Sequence, residues 1–122
     1  MKQFHHIGLP WPEQDTPMPG ESFVTATKTW VTNPHQHPQH IEWLRYAADS
    51  SVDPAFRQAP HICYQVDDLD AAIAGKELAI APFETGEPPF GRAAFVQEDG
   101  IFVEYLQIYP GRTWFDDDVK GS

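Results

Sequence analysis

The clearest alternation of apolar and polar positions lies between Pro60 and Gln107. HICYQV is a short apolar, aromatic and β-branched run, the composition of a strand. In the DDLDAAI that follows, Leu69, Ala72 and Ile73 recur at helical spacing. Asp67 or Asp68 can cap that helix, because a carboxylate there accepts from orphan backbone N–H groups and suits the positive end of the dipole. Gly75 supplies a stop. Three strand-like runs follow, Glu77–Pro82, Ala93–Gln97 and Ile101–Ile108, the first two separated by the loop TGEPPFG. This stretch predicts the order β-α-β-β-β.

The first half reads differently. FHHIGLP is a strand ended by Gly8 and Pro10, with Phe4, His6 and Gly8 on one face and His5 and Ile7 on the other. The proline density of WPEQDTPMPGE forbids a regular helix. Ser22–Thr32 is β-branched and aromatic, one long strand or two short ones. NPHQHPQ is a turn, and HIEWLRYAA carries a strand through about Tyr46 with His40, Glu42, Leu44 and Tyr46 on one face. DSSVDPAFRQA, about 49–59, is a polar linker. The two halves echo one another. FHHIGL aligns with PHICYQ, setting His6-Ile7 over His61-Ile62, and HIEWLRY aligns with IFVEYLQ, setting Glu42-Trp43-Leu44 over Glu104-Tyr105-Leu106. Such matches at strand positions signal duplicated modules, about 1–48 and 60–109, within one domain spanning 1–122. Trp30, Trp43, Tyr64 and Phe95 read as core.

Glu104 is chemically odd in this setting. Its strand neighbours are Phe102, Val103, Tyr105 and Leu106, and it shares a face with Phe102, Leu106 and Ile108. A carboxylate there is costly to desolvate unless something positive or hydrogen-bonding meets it. A metal ion shared with His61 is one such partner; an edge position or an arginine would serve equally. Taken singly, His6 and His61 also read as strand-start histidines held by backbone bonds. His35, His37 and His40 match no rigid ligand spacing and sit in a Pro-flanked loop. Arg92, beside the Gly86–Gly91 loop, is a candidate contact for an anionic substrate.

Composition narrows the class. With 122 residues, 41% hydrophobic and 13% aromatic, the chain suits one folded domain. No apolar run approaches the roughly 20 residues of a membrane span, and MKQFHHIGLP lacks the apolar core of a secretory signal. A single Cys63 makes no internal disulfide, so a cytoplasmic setting is expected. The formal charge of −10 argues against nucleic acid as a partner. Part of it lies in Asp116, Asp117 and Asp118, within an acidic tail (110–122) expected to be solvated.

HICYQVDDLDAA, the closing DGIFVEYLQ and the upstream HHIG resemble the vicinal oxygen chelate superfamily, which includes glyoxalase I, methylmalonyl-CoA epimerase, extradiol dioxygenases and the bleomycin and fosfomycin resistance proteins. The resemblance is closest over Pro60–Gln107 and weakest from Trp11 to Thr32. It implies an α+β fold in which two side-by-side βαβββ modules form a cleft, here with the first module shortened and lacking its helix. It further implies one divalent metal ion (Zn, Ni, Mn, Fe or Mg) held by His6, Glu42, His61 and Glu104; His40, on the same expected strand face as Glu42, could take that residue's place. Glu104 or Glu42 would then be the catalytic base of a glyoxalase-like isomerase, epimerase or lyase acting on a small oxygenated substrate. Metal-free sequestration of a ligand, as in the resistance proteins, and extradiol-type dioxygenation are the alternatives. The family also implies a homodimer.

Overall fold

Eight strands hydrogen-bond into one mixed sheet that curls into a half-barrel carrying few helices. The structure is a computed structural model describing residues 2–86 and 88–114; the Asp116–Asp118 stretch expected as a solvated tail lies outside them. The strands are β1 (Gln3–Pro10), β2 (Ser22–Val24), β3 (Thr29–Val31), β4 (Ile41–Tyr46), β5 (His61–Gln65), β6 (Glu77–Thr85), β7 (Gly91–Glu98) and β8 (Ile101–Ile108). Two short helices accompany them, α1 (Pro54–Arg57) and α2 (Leu69–Ile73). The spatial order is β2-β3-β4-β1-β5-β8-β7-β6. Each half therefore places its last strand beside its first, and both of those pairings are parallel (β1 with β4, β5 with β8). The halves meet where β1 runs antiparallel to β5.

Local chemistry explains the elements. Asp68 caps α2, its Oδ1 accepting from the Ala71 N–H at 3.2 Å, and the chain leaves the helix through Gly75 at φ 74°. Ser22–Thr32 resolves into two strands because Thr25–Lys28 turn back, with Lys28 at φ 51°. The sixth strand runs three residues past Pro82, which is tolerated because β6 is the sheet's edge, where a missing N–H breaks no ladder. The linker holds an element that its polarity hid: Asp53 caps α1, accepting from the Ala55 N–H at 2.8 Å, and Pro54 opens it. Between β1 and β2 there is no helix.

The sheet has a core on each side. On the outer face of the second half, the fully buried Leu69 of α2 packs with Ala94, Val96, Val103 and Tyr105. Burying a leucine this way contributes about 2 kcal/mol. Inside the curl lie Val31, Leu44, Cys63, Phe90, Leu106 and Trp114, with Phe56 of α1 against Phe95 at one end. Alternation along β8 sends Val103 and Tyr105 toward α2 and Glu104 and Leu106 inward. Trp30 and Trp43, expected in the core, are only half-buried: Arg45 stands 3.9 Å from the Trp30 ring centroid, and Trp43 meets Trp11 edge-on. No helix among the described residues is long and apolar enough to cross a membrane.

Candidate metal centre

The four central strands each deliver one ionisable side chain to the floor of the curl. His6 comes from β1, Glu42 from β4, His61 from β5 and Glu104 from β8. The register sets them together. Gly8 of β1 lies opposite Glu42 on one side and His61 on the other, while Cys63 lies between His6 and Glu104. Gly8 is required there, because a Cβ at that position would stand 2.0 Å from Cε1 of His61. Its missing side chain is the space the ring occupies.

His6 Nε2 is 3.2 Å from Glu42 Oε1 and 3.4 Å from Glu104 Oε1. His61 Nε2 is 3.2 Å from Glu104 Oε1 and 3.9 Å from Glu42 Oε1. All four ligating atoms lie within 4.8 Å of one another, and all four residues are buried. Both Nε2 atoms nevertheless lack an aligned hydrogen-bond partner. Orphaned imidazole nitrogens facing two carboxylates fit a shared cation better than a hydrogen-bonded network. The separations agree: ligands about 2.1 Å from one ion stand roughly 3–4 Å apart. The donor set is hard to borderline, suited to Zn, Ni, Mn, Fe or Mg.

His40 does not join the set. It sits at φ 55° outside β4, exposed, with its Nδ1 3.3 Å from the His5 carbonyl oxygen. The strand begins only at Ile41, so the face it was expected to share with Glu42 ends before reaching it. Arg92 also lies elsewhere, donating to Asp70 at 3.0 Å. His35, in the middle of a single 3-10 turn, is exposed and meets His5 edge-on at 4.9 Å.

His5 breaks the expected alternation. A β-bulge between Phe4 and His6 turns both histidines inward, and the two Nδ1 atoms are 2.7 Å apart. Burial, then His6 and His35, pushes the His5 pKa down to about 3, so it is neutral and can accept from His6. That contact fixes the tautomer leaving His6 Nε2 free for a ligand, the role of an outer-shell partner. Adjacent histidines gave no sign of it, since a bulge has no signature in alternation. Phe56 was likewise missed; it stacks on His61 at 6.0 Å and walls the cleft. The Asp53-Pro54 pair was the available signal.

Electrostatics ties the cluster to pH. Burial opposes charge on His6, but the Glu42 carboxylate, aided by Glu104, outweighs it and holds the imidazole well above its ordinary 6.5. Burial likewise opposes charge on Glu104, yet His6 and His61 hold its carboxyl below the usual range. Burial, then Glu104, pushes the Cys63 thiol up, so it stays protonated. The raised His6 value contributes stability that is complete below 6.5 and lost as pH rises through the folded value. The lowered Glu104 value contributes stability present above the ordinary 4.5 and lost as pH falls through its folded value. Thermal melts of metal-free protein should therefore fall on the alkaline side of 6.5. His6→Asn should flatten that slope, separating it from the general effect of net charge. An equal slope in the variant would remove His6 as its source.

Above the floor the cleft holds a cavity of about 50 Å³, open at its mouth. An inward-curled eight-stranded sheet with two imidazoles and two carboxylates at its centre defines the class: a half-barrel with a candidate metal floor. No family model and no curated protein matches the chain. Among solved structures, a crystal structure of hypothetical protein BH1468 from Bacillus halodurans C-125 is similar, with TM-score 0.62 and 14% identity over 93% of this chain and 99% of that one. At that identity the likeness is of fold.

Proposed function

We propose that the chain is a metal-dependent enzyme of the glyoxalase type, an isomerase, epimerase or lyase, built from two βαβββ-like modules of which the first has lost its helix. The observation that carries the reading is the pair of buried Nε2 atoms of His6 and His61, without an aligned hydrogen bond, converging with Glu42 and Glu104 within 4.8 Å. All four residues would hold one divalent ion. That ion, when bound, supplies Lewis acidity toward neighbouring substrate oxygens and offsets the charge of an enediolate.

The chain's own residues divide the remaining work. Glu104 approaches both imidazoles, at 3.4 and 3.2 Å, and is the better anchored carboxylate. Glu42 approaches His6 at 3.2 Å but His61 only at 3.9 Å, and it lines the cleft. We assign Glu42 as the base that removes a substrate proton, because the more loosely held carboxylate moves at lower cost. Tyr46, whose pKa burial, then Glu42 and Glu104, push up, keeps its hydroxyl proton at the cleft wall.

Two other readings use the same cleft. An extradiol-type dioxygenase would need His6, His61 and Glu104 alone. A sequestering protein would need no ion, and the apolar walls suit it. Elemental analysis after metal loading separates the three. The proposed enzyme should take up close to one equivalent and lose it in both His61→Ala and Glu42→Ala. Uptake that survives Glu42→Ala favours the dioxygenase arrangement. Failure to take up any metal leaves the sequestering role.

A further inference from the structure

We infer that the cleft takes an uncharged molecule with an apolar body and discriminates against substrates carried on an anionic handle. The floor of this site is the metal centre proposed above; the inference about its walls is drawn from residues that do not belong to that centre. Val24, Leu44, Val52, Phe56, Phe83 and Phe95 line the opening, with Val52 packed in one cluster with Phe56 and Phe95. The polar groups between them are neutral hydroxyls, those of Thr27, Thr29, Thr85 and Tyr46, and Thr29 already donates to the Thr27 carbonyl oxygen at 3.1 Å.

No lysine or arginine among the described residues lines this space, and each has a partner elsewhere. Lys2 lies 4.3 Å from the Tyr64 ring centroid. Lys28 pairs with Asp49 and Lys76 with Glu98. Arg45 is held by Glu21 and lies against Trp30. Arg57 donates to the carbonyl oxygens of Val52 and Ser50. Arg92 pairs with Asp70, and Arg112 donates to the carbonyl oxygens of Pro89 and Pro88. A carboxylate or phosphate drawn into the cleft would lose its water and meet no cation on the walls. The protein's net charge of −10 opposes its approach as well. At the floor, two carboxylates neutralise one divalent ion, so nothing there asks for a charged ligand of either sign.

A charge series on one skeleton tests this. Benzohydroxamic acid presents two neighbouring oxygens and a ring; its 4-carboxy and 4-aminomethyl derivatives add a remote negative or positive charge. Binding to the cobalt(II)-loaded protein is followed by the visible spectrum of the ion. The parent should bind about tenfold or more tightly than either charged derivative. Equal or tighter binding of the carboxylate overturns the inference, as does tighter binding of the ammonium. Cobalt uptake with no binding of any of the three also overturns it, while leaving the metal centre standing. Without cobalt uptake the metal reading fails by itself. The same series is then followed in the metal-free protein by fluorescence of Trp114, which lines the cleft. There the two floor carboxylates are no longer neutralised, so the comparison is between the parent and the carboxylate: the parent should bind more tightly, and equal or tighter binding of the carboxylate, or no binding of the parent, overturns the inference. Phe83→Arg, which places a cation on the wall, should reverse the preference toward the carboxylate. An unchanged order in that variant would show that the probes bind outside the cleft and would likewise sink the inference.

Discussion

Gly8→Ala should weaken metal binding by about 100-fold while leaving the sheet folded. The added methyl would lie 2.0 Å from Cε1 and 2.4 Å from Nε2 of His61, separations no pair of carbon and ring atoms tolerates. The backbone of β1 is the least free to move, since it is hydrogen-bonded to β4 on one side and β5 on the other. The imidazole must swing away instead, carrying its nitrogen from the common point shared with Glu42 and Glu104. The folding cost should be about 1–3 kcal/mol, as for other overpacked interior sites. Competition against a metal-chelating dye, beside a thermal melt, measures both quantities. An affinity within about threefold of the parent would mean that His61 is not a ligand, since this magnitude of displacement typically costs far more.

Removing one carboxylate should cost more stability than removing the whole cluster. In metal-free protein, Glu104→Leu leaves His6 and His61 beside a single remaining acid, and should lower stability by about 3 kcal/mol, or roughly 10 °C in melting temperature. Changing His6, Glu42, His61 and Glu104 together to leucine removes every charge of the cluster and fills the space with side chains that match the surrounding walls. That variant should melt no lower than the parent, because a buried ionic set replaced by packed apolar groups is commonly neutral or stabilising. It should bind no metal. If the fourfold variant instead proves much less stable than Glu104→Leu, the cluster is serving the fold, and its chemical role loses its strongest support.

The strands and α2 were legible because each carries its own local signal: the Asp68 cap, the Gly75 stop, and the clean alternation around Glu104. The echoes of His6-Ile7 in His61-Ile62 and of Glu42-Trp43-Leu44 in Glu104-Tyr105-Leu106 contain the four residues that the register of β4, β1, β5 and β8 gathers at one place. What stayed hidden depends on long-range geometry. The bulge that turns His5 inward arises from pairing with β5, so nothing within FHHIGLP shows it. Choosing Glu42 over His40 required knowing where β4 begins, and that boundary is set by His40 entering the left-handed region. The engagement of Arg92 with Asp70 crosses from β7 to α2 and is invisible to spacing. The linker's polarity concealed α1, whose one buried ring closes an end of the cleft.

The ligand-bearing strands occupy the middle four places of the sheet, and β2, β3, β6 and β7 occupy the margins. In the proposed enzyme the margins supply wall residues such as Val24 and Phe83 and no ligand, whereas β4 supplies both wall (Leu44, Tyr46) and ligand. Lengthening, trimming or regrafting a margin would then reshape the entrance while leaving the four side chains of the floor in place.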